Sequence, residues 1–206
     1  MHRVIEEIIG SNEWRDREFA KFKVNSTGVE EDLWCRMCIP MIYAHWEGYV
    51  VSALKILIDH LNSLGLSAAD VPTKLFVVSL GDTYQYLSGK QSFAQRIDFT
   101  DRFRGLIQET IRFQKKIDTK ANLKSAVLKE LCQMYGYRYE RFSLVVADID
   151  RLVSVRNSIA HGENAIVPNY ENISKYIRSV TIAMDIFREE IEKFLVDEEY
   201  LLRRRA

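Results

Sequence analysis

From Glu30 to Leu64 apolar side chains recur at helical spacing, through Leu33, Met37, Ala44, Val51, Leu54, Ile58 and Leu61. A helix of that length needs an equally long apolar surface to bury its stripe, and the rest of the chain supplies helices rather than strands. Helix breakers are few, with only 3 Pro and 9 Gly in 206 residues. Pro40 is expected to kink the long helix, Gly48 on its face to admit a close neighbour, and Gly65 to end it. A second long amphipathic helix is predicted from Tyr170 to Leu195, after Pro168 and Asn169, with Ile173, Ile177, Val180, Met184 and Phe187 on one side. The segment up to Val24 reads as one helix, or as two pieces broken at Gly10, Ser11 and Asn12. Asn25, Ser26, Thr27 and Gly28 follow it as a turn. Asn122 is a candidate N-cap for a helix from Leu123 to Tyr135 that ends at Gly136, and a further helix is expected from Phe142 to Ala160. Between Leu66 and Thr119 the pattern loosens into short helices with at most a small extended piece. The fold class is therefore all-α, an antiparallel helical bundle with additional short helices in the middle. Residues 1–206 form one domain, with a less regular insertion around 66–122.

Composition narrows the function. Hydrophobic residues make up 47% and charged residues 28%, which excludes intrinsic disorder. Lys plus Arg equals Asp plus Glu at 29 each, so any polyanion site must be focal. The longest apolar stretches, such as Val50 to Leu54, are too short for a membrane span, and MHRVIEEIIG carries acids where a signal peptide is apolar. A cytoplasmic protein without a membrane partner is expected. Three cysteines are an odd number, and Cys35 and Cys38 form a CxxC inside a helix with only Cys132 besides. Buried free thiols are the expectation, with no metal and no cofactor.

One predicted helix carries an anomaly. Val145, Ile149, Leu152, Arg156 and Ile159 follow one another at spacings of four, three, four and three, which places an arginine in a core seam. A guanidinium there must meet a carboxylate, backbone carbonyls, a wet cleft or a bound anion. His161, followed by Gly162, falls where the helix stops. At ~100° per residue Arg156 and His161 diverge by about 140°, so they converge only if the last turn unwinds or a second subunit contributes. Asn157 lies on nearly the same face as His161. In MIYAHWEGYV, Glu47 is the natural carboxylate partner for Arg156. His45 is a second candidate, about 200° away round the helix, so only one of the two faces the site. Tyr135 to Phe142 interleaves aromatics with Arg138 and Arg141, as an RNA-stacking surface or a packed loop would. Arg203, Arg204 and Arg205 suit either RNA phosphates or the C-terminal end of a helix dipole.

The stretch RLVSVRNSIAHGE, Arg151 to Glu163, resembles the RNxxAH form of the RxxxxH motif of the HEPN superfamily of helical domains. The resemblance extends from IDTKANLKSAVLKELCQMYG to the last long helix, and MIYAHWEGYVVSAL looks like the N-terminal core helix of the bacterial MAE-type HEPN nucleases. It implies a metal-independent endoribonuclease, a toxin or defence effector whose partners are RNA, a second copy of itself and an antitoxin protein. It further implies a site at the protomer interface, with Arg156, His161 and Asn157 as catalytic residues. Histidine chemistry suits proton transfer from a ribose 2′-hydroxyl, and a planar guanidinium suits a phosphate. A noncatalytic HEPN module that binds a nucleotide, RNA or protein is the alternative. In that case Arg156 ties helices together and His161 caps its own helix end.

Overall fold

Three helices pack against one long central helix in the computed structural model, which describes residues 1–25, 28–81, 91–163 and 168–202. Among these residues there are seven α-helices: α1 (Arg3–Val24), α2 (Glu31–Ser63), α3 (Thr73–Leu80), α4 (Phe93–Gln108), α5 (Ser125–Tyr135), α6 (Val146–Ala160) and α7 (Tyr170–Val196). The fold is all-α, and among the described residues its extended content is a single antiparallel bridge between Ser67 and Thr110. Ser26, Thr27 and the Arg203 to Arg205 cluster lie outside the described residues.

Cross-helix contacts fix the directions. Glu31 accepts the Tyr170 N–H at the start of α7, and Tyr49 packs by Asp185 and Arg188 further along, so α2 and α7 run parallel. Arg15 and Glu18 of α1 reach His45, and Trp34 donates to the Phe22 carbonyl, so α1 runs against α2. Arg36 donates to the Glu163 carbonyl while Tyr43 lies under Arg156, so α6 also runs against α2. The inner pair α2 and α7 is thus flanked by two antiparallel helices, with α5 on the outside of α6. Trp46, Phe142, Phe187 and Phe194 are fully buried at the centre.

Local chemistry explains most boundaries. α1 is unbroken through Gly10, Ser11 and Asn12, because Ser11 and Asn12 bond back to the Ile8 carbonyl and Arg15 then bonds to Asn12. Asn169 and Asn172 form a capping box on α7, and Gly136, at φ +82°, closes α5 in the left-handed conformation. Pro40 sits inside α2 without ending it. Two expectations fail. Asn122 caps nothing: α5 starts at Ser125, because the Leu123 peptide is held by α2, its N–H by the Tyr43 hydroxyl and its carbonyl by Trp46 Nε1. On α2, Leu54, Ile58 and Leu61 are buried as expected, whereas Leu33, Met37 and Ala44 face solvent. The buried face there runs instead through Cys35, Ile39, Ile42 and Trp46.

Candidate functional site

Arg156 stands on α6 one turn before the helix ends, and α2 crosses beneath it. Its guanidinium carbon lies 3.8 Å from the centre of the Tyr43 ring. Nη1 donates to Asn157 Oδ1 at 2.9 Å and Nη2 to the Ala121 carbonyl at 3.0 Å. Of the choices open to a seam arginine, this one takes a carbonyl, an amide and an aromatic face. Among the described residues no carboxylate pairs with it, and two of its five N–H donors are engaged, which leaves three for a ligand.

Glu47 does not pair with Arg156 directly. Its Oε1 accepts from the Tyr43 hydroxyl at 2.9 Å and from Thr119 Oγ1 at 2.6 Å, so the carboxylate meets the hydroxyl and the guanidinium meets the ring face of one buried tyrosine. Burial, with help from Glu47, pushes Tyr43 up to about 12, against the pull of the Leu123 N–H and Arg156. The phenol stays a proton donor to Glu47 at neutral pH.

The loop between Asp118 and Ser125 closes the site. Lys120 and Ala121 both have positive φ, at 54° and 45°, a conformation that side chains other than glycine adopt at a cost of about 1 kcal/mol or more each. The surroundings hold it there. Thr119 bonds to Glu47, Ala121 to Arg156, Asn122 Oδ1 to Asn157 Nδ2 at 3.3 Å, and Leu123 to Tyr43 and Trp46. Asn157 thus links Arg156 to this loop. Neither the loop nor Tyr43 stood out in the sequence; the available signal was the four-residue spacing of Tyr43 and Glu47.

His161 is the C-cap of α6, and its N–H bonds to the Asn157 carbonyl at 3.0 Å. Its imidazole is exposed and makes no hydrogen bond among the described residues, to Arg156 or to the helix end. One chain therefore brings together Arg156, Asn157 and, through Tyr43, Glu47, and leaves His161 beside them on the rim.

His45 belongs elsewhere. It is buried against α1, ringed by Trp14, Phe19 and Phe22, with Nδ1 at 3.3 Å from Arg15 Nη1. Because arginine only donates, Nδ1 is the acceptor and the ring proton sits on Nε2. Nε2 lies 2.9 Å from Glu18 Oε2, off the line of a regular hydrogen bond. Gly48 makes room for this network, since a Cβ there would stand 3.1 Å from Arg15 Nη2.

The remaining motifs are structural. Arg138 and Arg141 both grip Glu190, which is 3% exposed, and Tyr135, Tyr137 and Phe142 are buried, so this stretch is a packed loop. Cys35, Cys38 and Cys132 are free and buried, and burial pushes their thiols up to about 11, 11 and 12. Among the described residues no three His, Cys, Asp or Glu side chains cluster as metal ligands would, and no helix is long and apolar enough to cross a membrane. A cavity of about 570 Å³ between α3 and α5 is lined by none of Glu47, Arg156, Asn157 and His161.

A family model described as RiboL-PSP-HEPN matches residues 11–193. The chain belongs to the RiboL-PSP-HEPN family. The match spans α2, the 119–123 loop and α6, and so takes in every residue of the site described above. It supports the HEPN superfamily, and not a particular closeness to the MAE type. No curated protein and no solved structure matches the chain.

Proposed function

We propose that this HEPN protein is a metal-independent endoribonuclease in which Arg156, Asn157 and His161 act at a site shared by two protomers. The guanidinium of Arg156 carries the reading. It is half-buried, held over the Tyr43 ring by two hydrogen bonds, unpaired with any carboxylate among the described residues, and has N–H donors to offer a phosphate. A histidine takes the proton of the ribose 2′-hydroxyl, the 2′-oxygen bonds to phosphorus, and the bond from phosphorus to the 5′-oxygen breaks. A second proton goes to the departing 5′-oxygen. Arg156 stabilises the charge gathered on the phosphorane oxygens, and the products are a 2′,3′-cyclic phosphate and a 5′-hydroxyl.

Two protons move and each chain has one histidine at the rim, which fits a pair of chains. α2 supplies a surface for that pairing. Leu33, Met37 and Met41 are 52%, 54% and 43% exposed, in a stripe about a quarter turn round the helix from Glu47 and about a third of a turn from Tyr43. A second copy seated on it lies next to Arg156 and brings its own His161 to the same cleft. A toxin or defence role in the cytoplasm, restrained by an antitoxin protein, belongs to the same proposal. Its check is growth arrest on expression of the wild type and not of His161→Ala.

The direct experiment incubates purified protein with a mixed RNA pool in EDTA and maps the new ends. Cleavage leaving cyclic phosphates, with DNA of the same sequences intact, is the expected result. Activity lost on chelation and regained with a divalent cation overturns the mechanism. Binding of RNA without cleavage points to the noncatalytic module.

A further inference from the structure

We propose that Tyr43 is the positioning residue for Arg156, its ring serving as the floor on which the guanidinium lies in the plane that meets a phosphate. The inference rests on the reading that Arg156 holds the scissile phosphate.

Geometry divides the guanidinium between two tasks without conflict. The guanidinium carbon lies over the ring, 3.8 Å from its centre, and a guanidinium stacked on an aromatic face keeps all five N–H bonds in its own plane, free to point outward. Asn157 and Ala121 occupy one N–H each on Nη1 and Nη2, and Nε with the remaining N–H bonds is left for an anion. The ring itself cannot swing away. Tyr43 is 3% exposed, its hydroxyl donates to Glu47 at 2.9 Å and accepts the Leu123 N–H at 3.0 Å, and Thr119 holds Glu47 from the far side. The same tie fixes the left-handed turn at Lys120 and Ala121 that presents the Ala121 carbonyl to Arg156. α2 and the 119–123 loop therefore converge on a single tyrosine, and that tyrosine sets the tilt and depth of the arginine. Glu47 acts behind it, balancing the positive charge without covering the N–H edge.

The test compares Tyr43→Leu, which removes the stacking face and keeps apolar volume, with Tyr43→Phe, which keeps the face and loses the hydroxyl tie, each alone and combined with Arg156→Ala. Tyr43→Leu is expected to lower kcat about 100-fold with KM nearly unchanged, the loss that a misplacement near 1 Å brings, and Tyr43→Phe only a few-fold. In the Arg156→Ala background neither substitution is expected to lower the rate further. The Nε–H NMR signal of Arg156 is expected to move in Tyr43→Leu as the ring-current shift of the tyrosine is lost. Wild-type kcat in folded Tyr43→Leu, or the same loss added to that of Arg156→Ala, overturns the proposal. Where Tyr43→Leu does not fold, Tyr43→Phe combined with Glu47→Gln loosens the ring at constant volume and is expected to cost about tenfold in kcat; an unchanged rate there overturns the proposal equally. Failure of the parent reading shows separately, as wild-type protein that cleaves no RNA or Arg156→Ala that cleaves normally. The Nε–H signal then still decides whether Tyr43 holds the guanidinium.

Discussion

Because the His161 imidazole is exposed and bonded to nothing among the described residues, its replacement by alanine removes chemistry and leaves packing alone. RNA cleavage by His161→Ala is expected to fall by ~10²–10⁴, with a melting temperature within about 2 °C of the wild type. A folded variant with full activity removes His161 from the mechanism. His45 has the opposite character. Burial holds its imidazole below the ordinary 6.5, against the pull of Glu18 and with the help of Arg15. A folded value below the unfolded one means that the unfolded chain takes up the proton first, so stability is full at neutral pH and falls as pH drops below about 6.5. His60, lowered chiefly by burial and also by His2, adds an effect of the same sign. The loss between pH 7.5 and 5.5, read from urea midpoints, is expected to be smaller in His45→Gln, whose amide still accepts from Arg15; an unchanged slope assigns the loss to other groups. Helix rotation separates His45 from Glu47 in the sequence, but which one faces the site depends on Arg15 and Glu18, thirty residues upstream. Tyr43 was invisible for a related reason, since its role exists only where α2, α6 and the 119–123 loop meet.

One carboxylate on α7 anchors the helix to the loop after α5. Glu190 accepts from the Arg138 backbone and side chain and from Arg141, joining the last helix to the loop after α5. Burial pushes this carboxyl up, but the hydrogen bonds from the two arginines outweigh it and hold it below the usual carboxylate range. Its contribution is present above about pH 4.3 and is lost as pH falls through the lower folded value. Glu190→Ala is expected to cost about 2–3 kcal/mol in urea unfolding at pH 7. That lies under the ~3–5 kcal/mol of a fully enclosed pair, because the Arg138 side chain reaches solvent. A change within about 0.5 kcal/mol shows that the clamp is replaceable. Periodicity located α2, α6 and α7 within a few residues, since each buries one face over many turns. It misplaced the start of α5, where the helical use of the Leu123 peptide competes with Tyr43 and Trp46 and loses. It also put Leu33 and Met37 in the core, because apolar spacing identifies a face that avoids water without saying whether this chain or another covers it.

At the scale of the whole molecule the exposed stripe and the proposed two-protomer site call for the same test. Arg156 and His161 lie on the same helix end with no hydrogen bond between them among the described residues, and α2, which packs against that helix, carries Leu33, Met37 and Met41 in solvent. In the proposed dimer a two-fold axis buries one stripe against the other, sets the two α6 ends together and gives a cleft with two arginines and two histidines. Met37→Glu places like charges across that axis and is expected to yield a folded monomer by equilibrium sedimentation, with RNA cleavage lost. Mixing separates shared from private sites more sharply. Arg156→Ala keeps its histidine and His161→Ala keeps its arginine, so each homodimer lacks one function. Their heterodimer regains one arginine and one histidine in a common cleft. Subunits exchanged under mild denaturant and refolded together are expected to recover measurable cleavage that neither variant has alone, in proportion to the heterodimer formed. Heterodimer that forms and stays silent means either that both histidines are needed, one for each proton, or that each chain completes its own site, with the last turn of α6 unwinding to carry His161 to Arg156.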